Sequence, residues 1–174
     1  KYLPLGIAVQ AKMTYRELNR QSDQLAAALA SLGVGKGSHV AIMLPNMPQE
    51  IIAYFGILKA GATIVNTNPT YPAHELEPLM QLAGVETIIT LSGLYDRVLE
   101  IQPKTSIKNI IITDIPDYVG KLFRNTVAKT VRATGMMKEV TPKPGTYFFR
   151  DLLANAPAKA PAITIDPSKD TAVF

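Results

Sequence analysis

A chain of 174 residues, 47% hydrophobic and 18% charged, is long enough for one domain to bury a core without covalent staples. With no cysteine and two histidines it offers neither a disulfide framework nor a thiolate or imidazole zinc centre, and no run approaches the roughly 18–20 apolar residues a bilayer span requires. The formal charge of +4 is local: residues 118–150 carry seven Lys/Arg against the single acid Glu139, which points to one basic surface rather than a general nucleic-acid binder.

Lys1 to Gln10 lacks the long apolar stretch of a secretory leader, so the expected compartment is the cytoplasm. Thr14 followed by Glu17 is a capping-box pattern that predicts a helix from about Tyr15, with the hydroxyl and the carboxylate each satisfying an orphan amide. Leu18, Leu25, Leu29 and Leu32 form its apolar stripe, and Gly33 ends it. His39 to Leu44 reads as a short buried strand closed by Pro45-Asn46. A second helix over Pro48 to Ala60 places Ile51, Phe55 and Leu58 on one side and stops at Gly61.

The rhythm continues with Thr63 to Val65 as strand, Asn66 to Tyr71 as a polar turn, and Ala73 to Ala83 as helix before Gly84. Thr87 to Leu91 is the next strand and Gly93 to Ile101 the next helix. Ile107 to Thr113 is apolar enough to be covered on both faces. Alternation of this kind predicts an α/β fold, a doubly wound, mostly parallel sheet flanked by helices, over residues 1–116.

Residues 117–155 break the pattern and read as an inserted basic amphipathic segment. Tyr118 to Gly135 is expected as one helix, with Val119, Leu122, Phe123, Val127 and Val131 on one face and Lys121, Arg124, Lys129 and Arg132 on the other. Two readings of that helix stand: a surface that meets anionic lipid headgroups, or an apolar face folded onto the chain itself. Met136 to Phe149 is expected to be irregular, Phe149 to Asn155 a short helix, and residues 156–174 an exposed connector.

The chain contains no G-x-G-x-x-G, no G-x-x-x-x-G-K-[ST], no G-x-S-x-G and no H-E-x-x-H, so the usual phosphate, nucleophile and zinc constellations are missing. Gly33-Val34-Gly35-Lys36-Gly37 is glycine-rich but follows a helix and precedes a strand, the reverse of a phosphate loop, and reads as a helix cap and turn. His39 and His74 read as surface or packing residues, and Asp23, Glu50 and Glu75 as solvated helix positions. Asn66, Asn68, Pro69 and Tyr71 directly follow a strand's carboxyl end, where open parallel sheets bind ligands, and mark either an active-site entrance or a turn chosen for its geometry. No catalytic, cofactor-binding or metal-ligating residue is assigned.

Several segments together resemble the start of the adenylate-forming superfamily, which spans acyl-CoA synthetases, luciferases and peptide-synthetase adenylation domains. Thr14-Tyr15-Arg16-Glu17-Leu18 is similar to that family's T-Y-x-E-L box, Gly33 to Met43 to its G-V-x-x-G-D-x-V-A-I segment with Ser38 in place of Asp, and Leu58-Lys59-Ala60-Gly61-Ala62 to its L-K-A-G-A box. Asn66 to Tyr71 resembles the N-P-x-Y form of acyl-CoA and aryl-CoA ligases, and Tyr118 to Leu153 looks most like the bacterial long-chain fatty acid branch. Asp170 to Phe174 resembles the approach to the family's phosphate loop.

The resemblance implies a parent enzyme that uses ATP, Mg²⁺ and CoA to turn a fatty acid into its CoA thioester through an acyl-adenylate; the alternatives are a ligase for another carboxylic acid, medium-chain or aryl, and a stand-alone interaction or assembly module. It also implies that the phosphate loop, magnesium glutamate, ribose aspartate and catalytic lysine all follow Phe174. This stretch is therefore expected to be inactive and to bind none of those cofactors alone. It is further expected to self-associate and to avoid nucleic acid; under the lipid reading of the basic helix, contact with the inner face of the membrane would be peripheral, through Lys121, Arg124, Lys129 and Arg132.

Overall fold

The computed structural model describes residues 13–120 and 122–174; expectations placed on residues 1–12 and on Lys121 lie outside them. Helix α1 covers Tyr15–Ser31, and Thr14 caps it by accepting the Glu17 amide at 3.2 Å. The capping box is only half made. The Glu17 carboxylate turns instead to Arg20 and Gln21, both at 2.6 Å, because a guanidinium three residues on is the stronger partner. Those bonds, Arg20 first, pull its pKa down to about 2. Leu25 and Leu29 are fully buried, Leu18 and Leu32 flank them, and Gly33 supplies the left-handed turn at φ +85°.

Strand β1 (His39–Met43) leads to α2 (Pro48–Lys59), β2 (Thr63–Asn66), α3 (Ala73–Leu82), β3 (Thr87–Leu91), α4 (Tyr95–Ile101) and β4 (Asn109–Thr113). After these come α5 (Arg124–Ala133), β5 (Thr146–Phe148) and α6 (Phe149–Asn155). All five strands pair in parallel in the order β2-β1-β3-β4-β5. The sheet is doubly wound, as the alternation predicted. Val40, Ile42, Ile64, Ile89 and Ile111 meet α1, α2 and α6 on one face, while Ala41, Met43, Val65, Ile88 and Ile110 meet α3 and α4 on the other.

Residues in and just before the Leu58 to Ala62 box join α2 to α1. Gly56 lies where a Cβ would stand 2.8 Å from a Leu25 methyl, so α1 and α2 approach more closely than any other residue would permit. Lys59 reaches from the end of α2 to the Asn19 carbonyl, the Ser22 hydroxyl and Asp23, its Nζ standing 2.7 Å from the Asp23 carboxylate. Asp23 is therefore paired across two helices rather than merely solvated.

Several expectations change. Ile51, Phe55 and Leu58 do share a side of α2, but Ile51 and Phe55 face outward and the core takes Ile52, Ala53, Gly56 and Ile57, one residue round the helix. The helix expected from Gly93 is a 3₁₀ turn over Ser92–Leu94 followed by α4. The single helix expected over Tyr118 to Gly135 breaks at Gly120: a 3₁₀ turn spans Ile115–Tyr118, and α5 begins only at Arg124. The Met136 to Phe149 stretch, expected to be irregular, contributes β5, which pairs Tyr147 with Ile111 at the sheet's edge. Phe149 and Leu153 then bury in the main core, so the 117–155 segment completes the sheet as well as decorating it.

Candidate functional site

The loop after β2 is built to hold one shape. Asn68 Oδ1 accepts from the Thr70 amide at 2.9 Å and the Thr70 hydroxyl at 2.8 Å, a local turn that sets Pro69 at its tip. Arg97, from α4, donates to the carbonyls of Pro69 at 2.8 Å and Tyr71 at 2.7 Å. Asn66, Asn68 and Tyr71 are exposed and Pro69 half-buried, so this carboxyl-end loop presents polar and aromatic groups outward from a clamped backbone. The sequence brought these residues to one place; the Arg97 clamp was not foreseen.

In a sheet of this order the strand direction of connection reverses between β1 and β3, and the crevice at their carboxyl ends is where such folds bind ligands. Here the chain covers the turn that leaves β3. The Gly93 amide donates to the Met136 carbonyl, the Lys138 amide donates to Ser92 Oγ at 2.9 Å, and a Cβ on Gly93 would overlap Gly135 and Met136.

Beneath this cover lies a polar cluster that the sequence reading missed. Ser92 Oγ donates to Asp114 Oδ1 at 2.6 Å. Asp117 accepts from the Asp114 amide at 3.0 Å and the Thr113 hydroxyl at 3.1 Å, and Gln49 donates to Thr113 Oγ1 and to the Asp114 carbonyl. Burial pushes the Asp114 carboxyl up to about 6; the Asp117 charge adds to that, while Ser92 and Arg132 oppose it. Asp114-Ile115-Pro116-Asp117, a capping-box pattern with proline within the first turn, was the available signal. Ser92 is buried, and its oxygen is engaged by both an acid and an amide, so it is a latch rather than a nucleophile.

Gly33 to Gly37 forms the expected turn, with Ser38 Oγ accepting the Gly35 amide at 3.1 Å, at the amino end of β1 and far from the carboxyl-end loops. His39 bonds through a ring nitrogen to the Ala83 carbonyl and stacks edge-on against Phe174 at 5.3 Å, while His74 is exposed. Glu50 is half-buried, which raises its pKa, and borders an open hollow of about 900 Å³ between the starts of α1 and α2, where Met13, Leu18, Met47 and Ile51 share the lining with Thr14 and Asn46. Among the described residues no cluster could hold a metal, and no helix is long and apolar enough to cross a membrane.

On α5, Lys129 and Arg132 are exposed and Arg124 is half-buried, donating at 3.5 Å to the Asp117 carbonyl. Beyond the connector, the chain returns to the sheet: Val173 pairs in parallel with Ile64, with the Ile64 amide donating to Ala172 at 2.9 Å and the Phe174 amide to Ile64 at 2.8 Å. Lys36 ties this return down through Asp170 at 2.7 Å.

Residues 6–164 match the family described as AMP-binding enzyme. A long-chain-fatty-acid–CoA ligase of Escherichia coli is 35% identical over 156 residues, covering 87% of this chain and 27% of the relative. A Bacillus subtilis protein of the same name is 41% identical over 108 residues, covering 62% of this chain and 19% of its own length. In fold, an anthranilate CoA ligase solved with anthranoyl-AMP superposes with a TM-score of 0.72 at 19% identity, over 92% of this chain and 26% of that one. The chain thus spans about a quarter or less of the length of these relatives.

Proposed function

Since the chain belongs to the AMP-binding enzyme family, we propose that it is the amino-terminal scaffold of a cytoplasmic long-chain fatty acid CoA ligase, which joins a fatty acid to CoA through an acyl-adenylate. The observation that carries this reading is the parallel pairing of Val173 with Ile64. It extends the sheet outward from β2, so a chain continuing past Phe174 leaves at the carboxyl edge beside Asn66 to Tyr71. A phosphate loop placed there would face the Arg97-clamped turn, which is the role of an active-site wall. The long-chain substrate is supported by the two sequence relatives, whose names both specify it.

ATP, Mg²⁺ and CoA belong to this proposed activity, and no residue of this chain is assigned to hold them. Gly135 to Lys138 pack on the turn that follows β3, and the glycine-rich turn lies at the opposite end of β1. No step is therefore assigned to a residue of this chain; Arg97, Asn68 and Lys36 position backbone. The outward Ile51 and Phe55 on α2 support the further reading that copies of the isolated chain self-associate through that face.

Calorimetric titration of ATP·Mg²⁺ and of palmitate into this chain, and into a protein extended to the length of its relatives, tests the proposal. Nucleotide binding and palmitate-dependent pyrophosphate release are expected only from the longer protein, with palmitate preferred to benzoate. ATP binding by the 174-residue chain would overturn the scaffold assignment.

A further inference from the structure

The chain's return to the sheet is held by the two turns that open β1 and β2. Gly61 takes a φ of +77°, and a Cβ there would stand 2.9 Å from Ile163, so the half-buried Ile163 side chain lies directly on its backbone. Lys36, from the glycine-rich turn, donates to the Thr164 carbonyl at 3.3 Å and pairs with Asp170 at 2.7 Å. One cation therefore holds both ends of the 164–170 loop.

That loop is already folded on itself. Asp170 Oδ2 accepts the Asp166 amide at 2.7 Å, the Asp166 carbonyl accepts the amides of Lys169 at 3.0 Å and Asp170 at 2.8 Å, and Asp166 Oδ1 accepts the Ser168 amide and hydroxyl. Lys36 first, and the Asp166 amide after it, hold the Asp170 carboxyl below the usual carboxylate range. Directly after the loop, Thr63 Oγ1 donates to the Thr171 carbonyl at 2.9 Å and Val173 pairs with Ile64. So short a pairing specifies its register weakly, and a slip of one residue would exchange the faces of Val173 and Phe174. An exposed ion pair is a weak tether, but a weak tether is enough to choose between registers that otherwise differ little.

We propose that Lys36 is a positioning residue: by gripping the preformed 164–170 loop beside Gly61, it sets the register in which residues 171–174 join β2, and so the line on which the following chain runs toward Asn66 to Tyr71. The register rests on the contacts above. Its consequence for catalysis rests on the ligase reading, in which the phosphate loop follows Phe174.

The chain has no cysteine, so engineered disulfides report the register directly. Ile64→Cys/Val173→Cys should oxidise readily and Ile64→Cys/Ala172→Cys poorly, because neighbouring residues of a strand point to opposite faces. Lys36→Met should narrow that preference about two- to fivefold and speed exchange of the Ile64 amide by a similar factor. Lys36→Arg should restore both, and Asp170→Asn should add nothing to Lys36→Met. In the protein extended to the length of its relatives, Lys36→Met should lower kcat for palmitate-dependent pyrophosphate release about three- to tenfold with KM for palmitate unchanged, since a misplaced loop costs rate rather than affinity for the acid. Unchanged disulfide preference and Ile64 exchange in Lys36→Met would overturn the proposal, and an altered register with unchanged kcat would overturn its role in the reaction. An inactive extended parent would instead sink the ligase reading, because the disulfide and exchange results stand without it.

Discussion

The sheet and the basic segment answer the same physical demand with very different reserves. In β1, β3 and β4 every central residue has a helix over it on one face or the other, and the apolar atoms form two clusters that each span several elements. The α5 region closes over three valines and is otherwise anchored by hydrogen bonds: Ser92 to Asp114, Lys138 to Ser92, Gly93 to Met136. One region is held by burial that no single contact controls; the other is latched. Losing a latch should open a segment, whereas losing core volume should weaken the whole fold.

The largest expected effect follows from that contrast. Ile89→Ala in β3 removes a fully buried side chain at the centre of the sheet and should cost about 2–5 kcal/mol, seen as a lower midpoint in denaturant with all probes moving together. Gly93→Ala should cost less, about 1–3 kcal/mol, because its Cβ meets the backbone of Gly135 and Met136, which can swing away. Hydrogen exchange distinguishes the two: the Lys138 amide should lose protection in the Gly93 variant while the β3 amides keep theirs. If β3 exchanged equally fast, the segment would be part of the cooperative core and the contrast would fail. Val131→Ala should cost about 1–2 kcal/mol and again open only α5.

What could be foreseen in the sequence follows the same division. Strands β1, β3 and α1 were legible because each carries an uninterrupted apolar pattern between capping residues, and a doubly wound sheet demands such runs. The outward side of α2 was not legible as such, since Ile51 and Phe55 are as apolar as Ile52 and Ile57 and periodicity alone cannot say which stripe is covered. Strand β5 was hidden because three residues at a sheet edge carry too short a pattern, and its pairing with β4 is set by tertiary contact. The Asn66 to Tyr71 loop was visible from its place after a strand. Its clamp was not, because Arg97 arrives from 26 residues away.

The smallest predicted effect concerns the latch's charge. Asp114 titrates at about 6 in the folded chain, above its ordinary value of 3.8, chiefly because burial disfavours the ionised form. The folded state therefore holds a proton that the unfolded chain has already released between those two values, and stability falls as pH rises through that window. Asp114→Asn retains a carbonyl oxygen for the Ser92 hydroxyl and removes the charge. Because the group is only partly buried, solvent screening holds the gain to on the order of 1 kcal/mol or less. The variant should match the parent chain near pH 4 and melt slightly higher at pH 8, the difference opening as pH rises toward about 6. A gain of equal size at both ends would mean that the asparagine improves packing and that the charge carries no cost. A loss at pH 8 would mean that the ionised carboxylate strengthens the Ser92 bond by more than its burial costs, so that the latch tightens as the acid ionises.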